Sequence, residues 1–293
     1  MAKVSKVMSH PTLARHDNIL NIVGYGWGFR ESGSIPFLVT EYATSGTMRD
    51  FLRAYSLSSR EKLFLCENVA RGLHELHLCG MVHGDLKLDN VLVTPYTSAA
   101  STLNSTSSQT VVAKIADFGH SLLLYGDDDA KEVQTYGGTL AYNAPEISKC
   151  KTAGYENLNF RKCDVWALGL LCWEALDNGA SYYKSPRIQE LIAFSKTDSR
   201  SASVNSESTS KVTTESILEN LVFVAAKLQD VTRQFLYSDT VKDLYSFDRT
   251  KAQELFQATL EADPDKRVAD IPMLPLLLKS KYVRNLSLVS PNL

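Results

Sequence analysis

The sequence has no CxxC pair, no signal-like apolar run at its start, and no apolar stretch near the roughly 18 residues that span a bilayer. Its cysteines are odd in number, which is unusual for a secreted disulfide framework. They are Cys66, Cys79, Cys150, Cys163 and Cys172. These absences predict an intracellular protein without a membrane span, placed in the cytoplasm, with the nucleus as an open alternative.

An excess of positive charge is also missing. The formal net charge is −2 and the isoelectric point is about 6.3, so no global positive field attracts nucleic acid or an anionic membrane surface. We therefore predict no nucleic-acid partner. The chain has 293 residues, of which 44% are hydrophobic, and it can bury a core as one large domain or as two lobes that share a cleft.

Local patterns predict a β-hairpin followed by helices. Residues 19–42 contain two short apolar runs separated by the turn-forming segment Arg30–Ser34. From Ser59 onward, apolar residues recur at spacings of three and four, which predicts an amphipathic helix with Ser58 or Ser59 as its N-cap. The sequence after Asp164 is mainly helical in pattern.

Two segments are rich in serine and threonine, at about residues 95–110 and 195–214. They contain too few apolar side chains to order themselves by burial. We interpret both as flexible insertions between the structured parts of the chain.

The segment His83–Asn90, HGDLKLDN, places an aspartate five residues before an asparagine and is followed by a β-like run. A tight loop of this kind can present both polar side chains to one cleft. The segment resembles the catalytic loop of eukaryotic-type protein kinases, HRDLxxxxN in its general form. On its own, the motif is moderately specific.

Four further motifs of the same family follow in the expected order. They are Asp117–Gly119 (DFG), Ala144–Glu146 (APE), Asp164–Gly169 (DVWALG) and Asp263–Arg267 (DPDKR). A DFG tripeptide alone would be weak evidence, whereas five ordered matches leave little room for coincidence. The chain is therefore identified as similar to the protein kinase superfamily over roughly residues 10–285.

The resemblance implies a site for ATP and Mg²⁺. Asp85 would accept the proton of the substrate hydroxyl, and Lys87 would contact the γ-phosphate. Asn90 and Asp117 would hold the metal, and this is chemically sensible because Mg²⁺ prefers hard oxygen ligands. For Lys87 a merely solvated side chain is the alternative.

The segment FLVTEYATSGTMRDFL resembles the hinge between the two kinase lobes. The resemblance makes Thr40 the gatekeeper, assigns backbone contacts with adenine to Glu41 and Ala43, and places Leu92 beneath the adenine ring. It also implies structural roles, including an ion pair between the APE glutamate and the late arginine. The residues with structural roles are His83, Glu146, Asp164 and Arg267.

Three parts of the family pattern are missing from the sequence: the Gly-rich loop, the strand lysine and the helix glutamate that pairs with it. Gly24–Gly28 is not a substitute, because Phe29 stands where the GxGxxG pattern needs glycine. Gly84 also departs from the pattern, since most regulated kinases carry there an arginine that pairs with a phosphate on the activation segment. That phosphorylation switch would lose its main anchor.

These observations predict an α+β fold, a bilobal kinase-like architecture with a mostly helical C-lobe and an incomplete β-rich N-lobe. We expect a remnant of the N-lobe and the hinge in residues 1–43, the C-lobe in 44–285 with its two insertions, and a tail in 286–293.

The predicted function is transfer of the ATP γ-phosphate to serine or threonine hydroxyls of a protein substrate, impaired to the extent that the upper half of the site is missing. The first alternative is an inactive pseudokinase that binds an interacting protein as a scaffold. A remote alternative is a small-molecule phosphotransferase, since HGDLxxxxN also occurs in that class. The sequence does not indicate an oligomeric state.

Overall fold

The computed structural model describes residues 10–30, 33–95, 111–124, 137–147, 158–199 and 221–269. Residues 96–110 and 200–214 of the two predicted Ser/Thr-rich insertions and the whole predicted tail lie outside these ranges, whereas residues 195–199 continue a helix. Within these ranges, a short 3₁₀ turn (Leu13–Arg15) precedes two antiparallel strands, and a mostly helical body follows. This agrees with the predicted α+β, kinase-like architecture. No helix in the described ranges is long and apolar enough to cross a membrane.

Strands β1 (Ile22–Arg30) and β2 (Gly33–Thr40) form the predicted antiparallel hairpin. Its register pairs Tyr25 with Leu38, and an irregularity interrupts the pairing between Ile22 and Gly24. Gly26 lies directly under the ring of Phe37, where an added Cβ would be 2.5 Å from the ring. The glycine-rich strand therefore packs an aromatic ring and does not form a phosphate-binding loop.

The hairpin exposes apolar side chains on both of its faces. Tyr25, Trp27 and Phe29 on one face are 80%, 60% and 85% exposed, and Ile35 and Phe37 on the other face are also exposed. The apolar side chains of the hairpin are therefore not confined to one buried face.

Helix α1 (Met48–Ala54) is short, and helix α2 (Ser59–Leu78) is the first long one. Ser58 caps α2 through a capping box: its hydroxyl accepts a hydrogen bond from the backbone N–H of Glu61, and the Glu61 carboxylate accepts one from the backbone N–H of Ser58. Of the two predicted N-caps, Ser58 is the correct one. The buried face of α2 includes Leu63, Cys66 and Leu73, which belong to the apolar repeat that predicted this helix.

Helix α3 (Phe160–Leu176) runs through the centre of the helical body. Its side chains are buried on almost every side, including Trp166 and Trp173, as expected for a helix that is apolar around its circumference. Helices α4 (Pro186–Ser199), α5 (Leu221–Phe235) and α6 (Ser246–Thr259) complete this body. The predicted helical content after Asp164 is confirmed for the described residues.

Four short strands position the segments that carry the sequence motifs. They form two antiparallel pairs, β3 (Met81–Val82) with β6 (Leu122–Leu123), and β4 (Val91–Pro95) with β5 (Val111–Ile115). The segments His83–Asn90 and Asp117–Gly119 meet next to the pair of β4 and β5.

Candidate active site

The pairing of β4 with β5 brings two distant motifs together. Val91 faces Ile115, so Asn90, just before β4, lies beside Ala116, just after β5. The backbone N–H of Ala116 donates to the carbonyl of Asn90 at 2.9 Å. Asp117 is the next residue, so the expected metal ligands Asn90 and Asp117 stand on adjacent backbone segments.

Asp85 is a buried carboxylate with three hydrogen-bond donors around it. Oδ1 accepts from the backbone N–H of Thr139 at 2.7 Å, and Oδ2 accepts from Lys87 Nζ and Asn90 Nδ2, both at 2.9 Å. Asn90 Nδ2 also donates to the Asp85 carbonyl at 2.8 Å. The residues expected to act as base, phosphate contact and metal ligand are thus in direct contact.

The pKa of Asp85 lies below its ordinary value. Burial acts in the opposite direction, and it is outweighed by the hydrogen bonds from Thr139 and Lys87 together with the positive charge of Lys87. Asp85 is therefore ionised at neutral pH. An ionised carboxylate can accept a proton, as the role of a base requires.

The lowered pKa makes the stability of the fold depend on Asp85 at acid pH. Because the folded value lies below the unfolded one of about 3.9, the stabilising contribution is complete above that pH and is lost as the pH falls through the folded value. We therefore expect the wild type to lose unfolding free energy relative to Asp85→Asn as the pH falls below about 4. Urea denaturation at a series of pH values measures this, with the exposed Asp230→Asn as control. A difference that is constant with pH would contradict the assignment.

Lys87 joins the Asp85 loop to a segment far along the chain. Its Nζ contacts Asp85 Oδ2 and also the hydroxyl of Thr139, at 2.6 Å, so its ammonium lies at the site and is not merely solvated. Contact with a γ-phosphate stays a prediction for this residue.

Asp164 holds the backbone of the Asp85 loop. Its carboxylate accepts hydrogen bonds from the N–H groups of His83 at 2.7 Å and Gly84 at 3.0 Å. His77 Nε2 contacts the same carboxylate at 2.8 Å. This buried carboxylate therefore braces the loop, as the sequence resemblance implied, while His77 was not anticipated.

His83 links the Asp85 loop to the DFG segment. Its Nε2 lies 2.9 Å from the carbonyl of Ala116, and its Nδ1 accepts from the backbone N–H of Asp85 at 3.2 Å. With Nδ1 as the acceptor, Nε2 is the ring nitrogen that donates to the Ala116 carbonyl. The ring also packs edge-on against Phe118, with centroids 5.5 Å apart. The expected packed histidine is present.

Asp117 adopts a left-handed backbone conformation, with φ of 57°. Such a conformation is costly for a residue other than glycine and is typical of functional sites. Its Oδ1 accepts from the N–H of Gly119 at 3.3 Å. Asp117 lines a cavity of about 210 Å³ together with the predicted gatekeeper Thr40. Leu20, Ile22, Leu38, Phe118 and Gly119 complete the lining.

The predicted hinge residues lie next to this cavity. The N–H of Glu41 donates to Asn21, and the carbonyl of Ala43 accepts from Gly46. Contact with adenine would therefore use the carbonyl of Glu41 and the N–H of Ala43. Leu92 lies on β4, two residues after Asn90, where it is half-buried and forms a β-bridge with Thr47.

The oxygen atoms at the site fit a magnesium nucleotide. Both hydrogen bonds of the Asn90 amide use Nδ2, which leaves Oδ1 as an available ligand. The Asp117 carboxylate is exposed and makes a long hydrogen bond through one oxygen. One carboxylate, one amide oxygen and phosphate oxygens match the preference of Mg²⁺. In the described ranges, no group of three or more His, Cys, Asp or Glu side chains forms a separate metal site.

The predicted ion pair between Glu146 and Arg267 is present and buried. Arg267 Nη1 contacts Oε1 at 2.5 Å and Nη2 contacts Oε2 at 3.1 Å. Arg267 also lies over the ring of Trp166, 4.9 Å from its centroid. The bidentate geometry attaches the APE segment to the helical body.

Gly84 is required by the local backbone. Its φ is +79°, and an added Cβ would lie 2.5 Å from the carbonyl oxygen of His120. Gly138 approaches equally closely from the other side, since its Cβ would meet the Gly84 carbonyl at 2.5 Å. The departure from the usual arginine therefore permits close backbone packing that a side chain would prevent.

Sequence reasoning missed a second charged cluster next to Asp85. Arg49 on α1 contacts Asp89, Tyr142 and Glu174, and all but Asp89 are buried. Glu174 was the available signal, because it is an acidic residue inside the otherwise apolar helix α3. Arg49 carried no such signal, since α1 is too short to show a clear pattern.

Among curated proteins, the chain is similar to "Probable serine/threonine-protein kinase gdt2" of Dictyostelium discoideum, with 30% identity over 65% of the chain. It is 29% identical to "Serine/threonine-protein kinase pakG" of the same organism over 59% of the chain. It is 27% identical to "Fibroblast growth factor receptor 1" of Pleurodeles waltl over 66% of the chain. The matched parts make up 10%, 13% and 23% of those relatives, respectively.

The family described as "Protein kinase domain" matches residues 5–283. The match therefore includes the Asp85 loop, the Asp117 segment and the Glu146–Arg267 pair, whose geometry is given above. Because it extends over well more than half of the chain, this protein belongs to the protein kinase domain family.

Proposed function

We propose that this chain transfers the γ-phosphate of magnesium ATP to serine or threonine hydroxyls of protein substrates. The observation that carries the proposal is the environment of Asp85: an ionised carboxylate held by Thr139 and Lys87, in contact with Asn90. A general base and a phosphate-directed cation are the groups that this reaction needs on the side of the protein substrate.

In this proposal, Asp85 orients the attacking hydroxyl and accepts its proton. Lys87 neutralises charge on the transferred phosphoryl group while its contact with Thr139 fixes its position. Asn90 and Asp117 would hold Mg²⁺, which supplies charge neutralisation at the phosphate oxygens when bound. The nucleotide lies towards the cavity at Thr40 and Asp117.

The preference for serine and threonine rests on Lys87 and Thr139. Lys87 Nζ and the Thr139 hydroxyl lie 2.6 Å apart beside the proposed base. A lysine two residues after Asp85 and a threonine at position 139 resemble the sequence pattern of serine/threonine kinases. Two of the curated relatives are named as serine/threonine kinases, whereas one is named as a growth factor receptor. A comparison of serine, threonine and tyrosine peptides as phosphate acceptors tests this part of the proposal.

Nucleotide binding is tested by thermal unfolding. A ligand present at 100 times its dissociation constant stabilises a fold by about 2.7 kcal/mol, so we expect magnesium ATP to raise the Tm of the wild type. The Asp117→Asn variant should lose the magnesium dependence of this shift, because it removes the carboxylate ligand. Asp230→Asn, on an exposed helix surface, is the matched control and should behave as wild type.

An absent shift at millimolar nucleotide would contradict the proposal and favour a second function, a catalytically inactive binding scaffold. The specific observation that supports this alternative is the exposed apolar hairpin, where Tyr25, Trp27 and Phe29 face solvent. A scaffold would bind a protein partner through such a surface without turnover of ATP.

A further inference from the structure

Arg49 is a buried cation that donates hydrogen bonds to four different residues. Its Nε donates to both carboxylate oxygens of Asp89, at 2.9 and 3.0 Å. Nη1 donates to the carbonyl of Gly179 at 2.8 Å, and Nη2 donates to the Tyr142 hydroxyl and to Glu174 Oε2, both at 2.8 Å. Four of the five N–H groups of the guanidinium are thereby used.

The surroundings of this guanidinium form a built binding site. Glu174 has a side chain that is 0% exposed, and the Tyr142 hydroxyl donates to both of its oxygens at 2.9 Å. Gly179 adopts a φ of +75°, and an added Cβ would lie 3.0 Å from the Arg49 carbonyl, so glycine permits this close approach. Planar, forked donors match such a set of acceptors better than an ammonium does.

This site adjoins the proposed catalytic centre. Asp89 immediately precedes the proposed metal ligand Asn90, and Tyr142 lies three residues after Thr139, which contacts Asp85 and Lys87. The Asp89 side chain is 46% exposed, so the outer end of the site reaches solvent. Without Arg49, the Asp89 carboxylate and the buried Glu174 side chain would lose their guanidinium partner beside the catalytic loop.

We propose that Arg49 is the internal occupant of a guanidinium site beside the catalytic loop and thereby determines substrate specificity. Because its charge offsets both carboxylates, an arginine in a peptide substrate gains no affinity at this site. Removal of Arg49 opens a site that accepts a guanidinium from solution or from a peptide. The consequence for substrates rests on the proposed kinase function, whereas the binding site itself does not.

The binding site is tested with Arg49→Ala in the full chain and ethylguanidinium as the probe. We expect a few millimolar of the probe to raise the Tm of Arg49→Ala by about 2–4 °C while leaving wild type unchanged. The double variant Arg49→Ala/Glu174→Gln, which lacks the buried carboxylate, is the matched control and should show no rise. Ethylammonium, which lacks the planar, forked donors of guanidinium, should not raise the Tm of Arg49→Ala. Equal responses of the single and double variants would overturn the proposal.

If Arg49→Ala does not fold by itself, the refolding yield from urea becomes the readout. The probe should then increase the yield of the single variant and not that of the double variant. An unchanged yield would overturn the proposal as firmly as an unchanged Tm.

The effect on specificity is tested with paired serine peptides that differ by arginine or citrulline on either side of the acceptor. Wild type should phosphorylate both members of a pair with similar kcat/KM, whereas Arg49→Ala should favour the arginine member by about 10-fold or more, as loss of a charged hydrogen-bonding partner implies. No preference in the variant, with the thermal shift present, overturns the specificity role alone. No phosphorylation by either protein, again with the shift present, contradicts the kinase proposal and leaves the guanidinium site standing.

Discussion

Replacement of Asp85 by asparagine is expected to lower kcat for peptide phosphorylation by about 10²- to 10⁴-fold, the usual contribution of a general base. Asparagine has nearly the same shape and can keep one contact with the Thr139 N–H, but it cannot accept the proton of the substrate hydroxyl. KM for ATP should change little, since Asp85 is not a proposed nucleotide ligand. Initial rates with a serine peptide measure both constants.

The control for this experiment is Asp265→Asn, an exposed aspartate near the end of the described chain. It removes the same charge without touching the site and should leave kcat unchanged. A kcat of Asp85→Asn within about threefold of wild type, well short of the loss expected of a base, would show that Asp85 is not the base. If the wild type itself shows no measurable turnover, the scaffold function is favoured.

Replacement of Arg267 by methionine is expected to cost about 3–5 kcal/mol of unfolding free energy, the usual result of leaving one member of a buried ion pair alone. Glu146 would lose both arginine contacts and remain buried. The carbonyls of Glu261 and Lys162 would also lose their donor. Urea denaturation, followed by tryptophan fluorescence, measures the change.

Lys266→Met is the matched control, because it makes the same substitution one residue earlier at an exposed position. Its surface ion pair with Asp263 should contribute no more than about 1 kcal/mol. The double variant Arg267→Met/Glu146→Gln should recover part of the loss, since it removes the uncompensated charge. A loss below about 1 kcal/mol for Arg267→Met would mean that the pair adds little to stability.

Features specified by neighbouring residues could be predicted from the sequence. The hairpin required two apolar runs and a turn, and the start of α2 required Ser58 with Glu61 three residues later. The contact of Asp85 with Asn90 is also local, since five residues separate them in one tight loop. The ion pair of Glu146 with Arg267 spans 121 residues and was predicted through the family motifs.

Features that depend on several distant segments were not predicted. Arg49 meets Asp89, Tyr142 and Glu174 across 40, 93 and 125 residues, and none of these pairs has a signature in the sequence. The hairpin illustrates a different failure. The sequence predicted the hairpin but not its exposure: in the described part of the chain, its apolar side chains are exposed on both faces.

By itself, the sequence determined which groups exist and in which local arrangement: an aspartate and an asparagine in one tight loop, an Asp-Phe-Gly turn after a short strand, and a helix with its cap. These follow from backbone geometry over a few residues, where spacing specifies direction. The tertiary structure alone decided which charges meet. It placed Thr139 and Lys87 on Asp85, enclosed Arg49 between two carboxylates, and made glycine necessary at position 84. Such contacts arise from the packing of segments far apart in the chain, and burial then determines their pKa values and energies.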